Sequence, residues 1–145
     1  MENKIRYLEM MQKVISKNRH YSFVTKLFSI VMLLAFSYFG NMTLRLFNAT
    51  SDANSWVYVL GGLLIFTTCS CLDAYFNQQA KLFKRKFDLA RAKQEDEIDF
   101  DMNLGSEVRD KSNSYARCLF ASSVTLFYGL SVVAFLFFIC LMLFN

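Results

Sequence analysis

Asp99, Asp101 and Asn103 stand at alternate positions, the spacing of the first three oxygen ligands in a calcium-binding loop. The rest of that pattern is missing, because Leu104 stands where the sharp turn needs Gly and Asp110 where a bidentate Glu belongs. Residues 95–101 therefore read as a solvated acidic loop, held against a basic helix of the same or a neighbouring subunit. Thiol chemistry is no better supported. Cys69, Cys71, Cys118 and Cys140 lie in or beside apolar runs, and on a helix Cys69 and Cys71 point about 200° apart, which suits neither a disulfide nor a shared metal. They read as small packing residues. His20 has no Cys or His close by and reads as a surface residue beside the first apolar run. No nucleophile, base and orienting group assemble into a catalytic set, so neither an enzyme nor a cofactor is expected.

Other polar residues fall inside apolar runs, where each must find a partner in protein or water. Ser37 and Asn41 share a helix face, either for a helix–helix hydrogen bond or to line a water-filled path. Arg45, one turn on, would snorkel to the outer headgroups or form a cationic outer mouth. Cys118, Ser122, Thr125 and Gly129 form a small or weakly polar stripe with Tyr128 beside it, a packing seam or a pore wall in an oligomer. Asp73 is the first charge after the second apolar run. A carboxylate there is costly unless hydrated or paired, so a Lys or Arg partner is expected.

The elements that position these residues follow from composition. A chain of 145 residues with 54% hydrophobic content, 16 Phe and 19% charge is too apolar for an ordinary soluble domain. The expected fold is an all-α membrane protein with three transmembrane helices, 23–47, 56–72 and 117–145, each long enough to span. The last is about 40 Å long as a helix and must tilt or extend past the bilayer. Gly61 and Gly62 permit close helix approach. A polar turn at 48–55 joins the first two spans, and Trp56 and Tyr58 mark the outer interface. Residues 1–22 form an amphipathic helix, with Ile5, Leu8, Met11 or Met10, Val14 and Ile15 on one side and Lys4, Arg6, Lys13 and Lys17 on the other. It would lie on the inner leaflet or pack against a cytoplasmic extension of the second span, 73–93. That extension, preceding the acidic loop 94–116, carries a stripe of Tyr75, Phe76, Leu82, Phe83, Phe87 and Leu89 or Ala90. Lys81, Lys84, Arg85 and Arg91 occupy the rest of its circumference, which suits a cytoplasmic bundle with a basic surface.

Orientation follows from the positive charges. Lys4, Arg6, Lys13, Lys17, Arg19 and Lys26 lie before or at the start of the first run, and nine more Lys and Arg lie between the second and third. The positive-inside rule puts the N-terminus and the long loop in the cytoplasm and the C-terminus outside. The net charge of +4 is thus mostly a matter of topology rather than a nucleic-acid signature.

The blocks LEMMQKVISKNRHYSFVTK, LDAYFNQQAKLFKRKFDLAR, DFDMN and SSVTLFYG resemble successive blocks of a family of small three-span bacterial membrane proteins with an LDAYY-type juxtamembrane motif. Phe76 replaces the second Tyr of that motif, Ala80 a usual Glu and Phe87 a later Tyr. The architecture is also similar to Hailong-type antiphage effector channels, which pair with nucleotide-synthesising enzymes. That resemblance implies a homo-oligomeric ion channel in the bacterial inner membrane, a tetramer by preference, gated by a cytoplasmic oligonucleotide from a partner nucleotidyltransferase. Lys81, Lys84, Arg85 and Arg91 would then hold phosphates, with aromatic residues available for base stacking. The competing expectation is a membrane scaffold whose basic-aromatic bundle recruits a soluble partner.

Overall fold

The absence of Pro and the scarcity of Gly in the first ninety residues leave little to interrupt a helix. The computed structural model describes residues 2–46, 52–94, 98, 100–105 and 114–144, and its regular elements are all helical among them. α1 runs Glu2–Leu46 and α2 runs Asp52–Ala92. The short α3, Tyr115–Leu119, precedes α4, Ser122–Phe144. Residues 2–22 of the amphipathic segment and 23–46 of the first apolar run are therefore one helix of 45 residues, about 68 Å long. The run 56–72 and its extension as far as Ala92 likewise belong to one helix of 41 residues, about 62 Å long, which also takes in residues 52–55 of the expected polar turn. Both exceed the roughly 30 Å of a bilayer core by a factor of about two.

α1 and α2 lie antiparallel along most of their length. Tyr7 and Met11 cluster with Ala90 at one end, Lys26 meets Asp73 midway, and Phe36 packs on Gly61 towards the other. The seam of α2 is Gly62, Phe66, Cys69, Asp73, Phe76, Ala80, Phe83, Phe87 and Ala90, all buried or half-buried. Their alternating spacing of four and three is a heptad repeat, the pattern of knobs-into-holes packing. That spacing corrects the expected aromatic stripe. Tyr75 precedes the seam position of Phe76 by one residue, about 100° around the helix, and is 48% exposed, while Leu89 is exposed beside buried Ala90. The N-terminal segment, for which membrane surface and helix were alternative supports, packs on α2: Tyr7, Met11, Ala90 and Ile98 form a buried cluster, with Leu8, Phe87 and Met102 against it.

α4 completes a three-helix unit. Val124, Tyr128 and Phe135 face Phe66 and Cys69 of α2, with Leu33 and Phe36 of α1 packed alongside. The expected single helix over 117–145 is divided at Phe120 and Ala121, where Phe120 caps α3 and Ala121 accepts from Val124 and Thr125 N–H. Ser122 and Ser123 account for the break, since serine competes with helical bonding and favours helix starts over interiors. α1 and α2 contain segments long and apolar enough to cross a membrane, with mean hydropathies of 1.7 and 1.6; the described apolar run of α4, Ser122–Phe137, is shorter. Around this half most outward residues are apolar, including Leu34, Leu64 and Leu130.

Close packing sets the tolerance of the glycines. A Cβ on Gly62 would clash with Cζ of Phe135, a ring buried in the core, whereas one on Gly129 meets nothing within 4 Å. Gly62→Ala is expected to cost about 1–3 kcal/mol through overpacking. Gly129→Ala should gain up to about 1 kcal/mol from helix propensity. Thermal unfolding of both variants in the same detergent checks the contrast in sign.

Candidate functional site

Three of the sequence blocks meet at Asp73. This residue is fully buried in the α2 seam, where its carboxylate must be compensated. Oδ1 accepts hydrogen bonds from the Ser22 hydroxyl of α1 and, at 3.1 Å, from Nδ2 of Asn77 one turn along α2. Oδ2 has the Lys26 ammonium at 3.4 Å and no hydrogen-bond donor among the described residues. Ser22 and Lys26 are four apart on α1, as Asp73 and Asn77 are on α2, so each helix presents two polar groups on one face. The cation that Asp73 requires is Lys26.

The third helix joins the same node. Lys26 Nζ lies 5.9 Å from the ring centroid of Phe127 on α4, within cation–π range. The neighbouring Tyr128 is buried, donates its hydroxyl to the Cys69 carbonyl at 3.3 Å and has Ser29 and Asp73 as electrostatic neighbours. Ser29, also buried, donates back to the Lys26 carbonyl at 2.7 Å. Tyr115 of α3 donates to the Cys71 carbonyl at 3.0 Å. One ammonium from α1 thus contacts α2 and α4 together, where the apolar half of the bundle gives way to its basic half.

A second polar cluster holds the fourth block, DFDMN, at the far end of the basic half. Lys86 of α2 donates to the carbonyls of Asp101 and Asn103, and Tyr7 of α1 donates to the Asp101 carbonyl at 2.7 Å. Phe100 meets Tyr7 edge-on at 5.4 Å. Lys4 donates to the carbonyls of Arg91 and Lys93, satisfying the C-terminus of α2. Both Asp101 oxygens are engaged by Asn103, through its backbone N–H at 3.0 Å and its side-chain amide at 2.9 Å. That backbone N–H first, then the Asn103 amide and the Lys86 ammonium, hold the Asp101 carboxyl below its ordinary range.

The other expected residues are distributed as follows. Lys81, Lys84 and Arg91 are exposed and Arg85 is half-buried, all within one arc of α2 that also carries Asp88. Phe83 and Phe87 are half-buried in the seam rather than exposed with Lys81, Lys84 and Arg91. Phe76 is half-buried against Tyr21 at 5.3 Å, with Tyr75 on its other side at 5.7 Å. Ser37 lines a groove between α1 and α4. Ser122, Thr125 and Gly129 are exposed, so within one chain they form no seam; of that stripe Cys118 alone is buried. The side chains of Asn41, Arg45, Trp56 and Tyr58 lie outside the described residues, as do residues 48–51 of the expected polar turn and the acidic residues Glu95, Asp96, Glu97, Asp99 and Asp110.

Sequence reasoning passed over Ser22, Lys26, Asn77, Tyr128 and Lys86 as partners. The available signal was the pair of four-residue spacings, Ser22 to Lys26 and Asp73 to Asn77, at matching polar–apolar boundaries. Lys26→Met or Asp73→Ala alone should destabilise the fold by about 3–5 kcal/mol, because each strands a buried charge. The double variant Lys26→Met/Asp73→Leu should recover most of that loss, as read by thermal unfolding in micelles. Acid should also loosen the DFDMN segment. A lowered folded pKa means that the Asp101 contribution is present above the unfolded value of about 3.9 and is lost as pH falls through the lower folded value. Hydrogen exchange over residues 100–105 should therefore quicken below about pH 4, and Asp101→Asn should remove that step. Comparison with family models, curated proteins and solved structures gives no match.

Proposed function

We propose that the protein is a homo-oligomeric membrane channel, gated from its basic half, in which α1, α2 and α4 each cross the bacterial inner membrane. The observation that carries the reading is the buried Lys26–Asp73 node, set where two uninterrupted helices pass from an apolar to a basic environment and contacting the third helix. A displacement of the basic half is transmitted along such helices, and the node is where α4 would feel it. The N-terminus and the 93–114 connection lie in the cytoplasm and the C-terminus outside, in keeping with the distribution of Lys and Arg.

Assembly is part of the proposal because Phe66, Val124, Tyr128 and Phe135 fill the interior of the three-helix unit. A conducting path then runs between copies. Thr67, Thr68, Ser122 and Thr125 expose hydroxyl-bearing residues on otherwise apolar helices, and an oligomer, a tetramer by preference, would turn one such face towards its axis. An oligonucleotide made by a partner nucleotidyltransferase would bind Lys81, Lys84, Arg85 and Arg91 through its phosphates. It gates only by binding open and closed states unequally. In an antiphage setting, opening would depolarise the infected cell.

The filled core and the inward turn of Phe83 and Phe87 favour one alternative, a membrane scaffold whose basic face recruits an acidic soluble partner. Planar-bilayer recording separates the two. Purified protein should give discrete conductance that responds to added oligonucleotide, and Lys84→Glu with Arg85→Glu should abolish the response while leaving assembly intact. A protein that inserts and assembles without conducting is the scaffold.

A further inference from the structure

α1 and α4 both pack on α2 but part from each other, leaving a groove of about 320 Å³ between them. Its walls are Ile30, Leu33 and Ser37 on α1 and Ser131, Ala134 and Phe135 on α4. Each wall begins one helical turn beyond a member of the node, since Ile30 follows Lys26 and Ser131 follows Phe127 by four residues. Those two members touch, with the Lys26 ammonium over the Phe127 ring. A cation therefore stands one helical turn beyond the basic end of the groove. The Lys26 side chain remains 22% exposed even while paired with the fully buried Asp73. An ammonium has three donors, so Asp73 need not exhaust it.

We infer that this groove binds one acyl chain of an anionic phospholipid from the leaflet on the basic side, with its phosphate at Lys26. The inference rests on the membrane reading of α1 and α4, and two features single out this occupant. From Ile30 to Ser37 the groove rises about 10 Å and Lys26 stands one turn further, about 16 Å in all, so groove and cation lie within a single leaflet of a bilayer core of roughly 30 Å. The cation stands at the end where that leaflet's headgroups lie, matching a negative headgroup joined to an apolar tail. A bound lipid would hold α1 and α4 at a set separation from the outside, as the node does from within.

Native mass spectrometry of the purified protein, offered phosphatidylglycerol and phosphatidylcholine with identical chains, tests the site. At least tenfold more adduct is expected with the anionic lipid. Ser37→Phe/Ala134→Phe, which fills the groove, should lose the adducts while circular dichroism stays helical. Lys26→Gln/Asp73→Asn, which removes the ammonium together with the carboxylate it pairs, should bind the two lipids equally. Equal adducts in the unaltered protein, or undiminished adducts in the filled-groove variant, overturn the proposal. So does a filled-groove variant that keeps its lipid but falls apart as an oligomer, which gives the groove to a second copy. Failure of the membrane reading is separately visible, as protein recovered in the soluble fraction without detergent.

Discussion

A carboxylate with no solvent exposure inside a helix seam is the constraint on which this fold turns. Removing Asp73 from water costs several kcal/mol unless opposite charge and hydrogen-bond donors replace it. Lys26, Ser22 and Asn77 supply that replacement. The pair also specifies register. A slide of one helical turn, about 5.4 Å, would carry Lys26 off Asp73 and strand both charges. An apolar heptad seam tolerates such slips better, since Phe and Ala positions recur along it. A buried polar contact at one seam position is a known means of selecting one alignment at some cost in stability.

The rest of the bundle is fastened by contacts that depend on this alignment. With Asp73 opposite Lys26, the antiparallel helices bring Tyr7 and Met11 to Ala90. That placement leaves Tyr7 and Lys86 flanking the DFDMN segment, where they share the Asp101 carbonyl. In the opposite direction the same alignment sets Phe36 against Gly61, while Gly62 on the next face receives Phe135 of α4. The two adjacent glycines thus serve two different helices. Polar node, aromatic core and loop clamp form one sequence of dependences rather than three independent sites.

Much of this was legible in the sequence, for identifiable reasons. Long apolar runs without Pro declare helices, and the cost of Asp73 at a boundary declares a cation somewhere. Which cation was not legible, because Lys26 is far from Asp73 in sequence and looked like one more positive-inside charge. The aromatic stripe was only partly right, since Tyr75 and Phe76 are adjacent aromatic residues and the heptad phase decides which of them enters the seam. The Ser122, Thr125 and Gly129 stripe faces outward because bulkier Val124, Tyr128 and Phe135 already fill the seam. Small size alone does not assign a residue to an interface. The division before Ser122 is a local preference of serine that an uninterrupted apolar pattern conceals.

The basic half and the apolar half are joined by the unbroken α1 and α2. The Lys26–Asp73 node stands where they meet and reaches α4 through Phe127. Cryo-electron microscopy of the protein in lipid nanodiscs tests this most directly. Each copy should show unbroken α1 and α2, with Asp73 paired to Lys26 and Ser22 of its own chain and Phe127 beneath the ammonium. An Asp73 that faces lipid, or that pairs with a cation of a neighbouring copy while Lys26 points to solvent, would contradict the account.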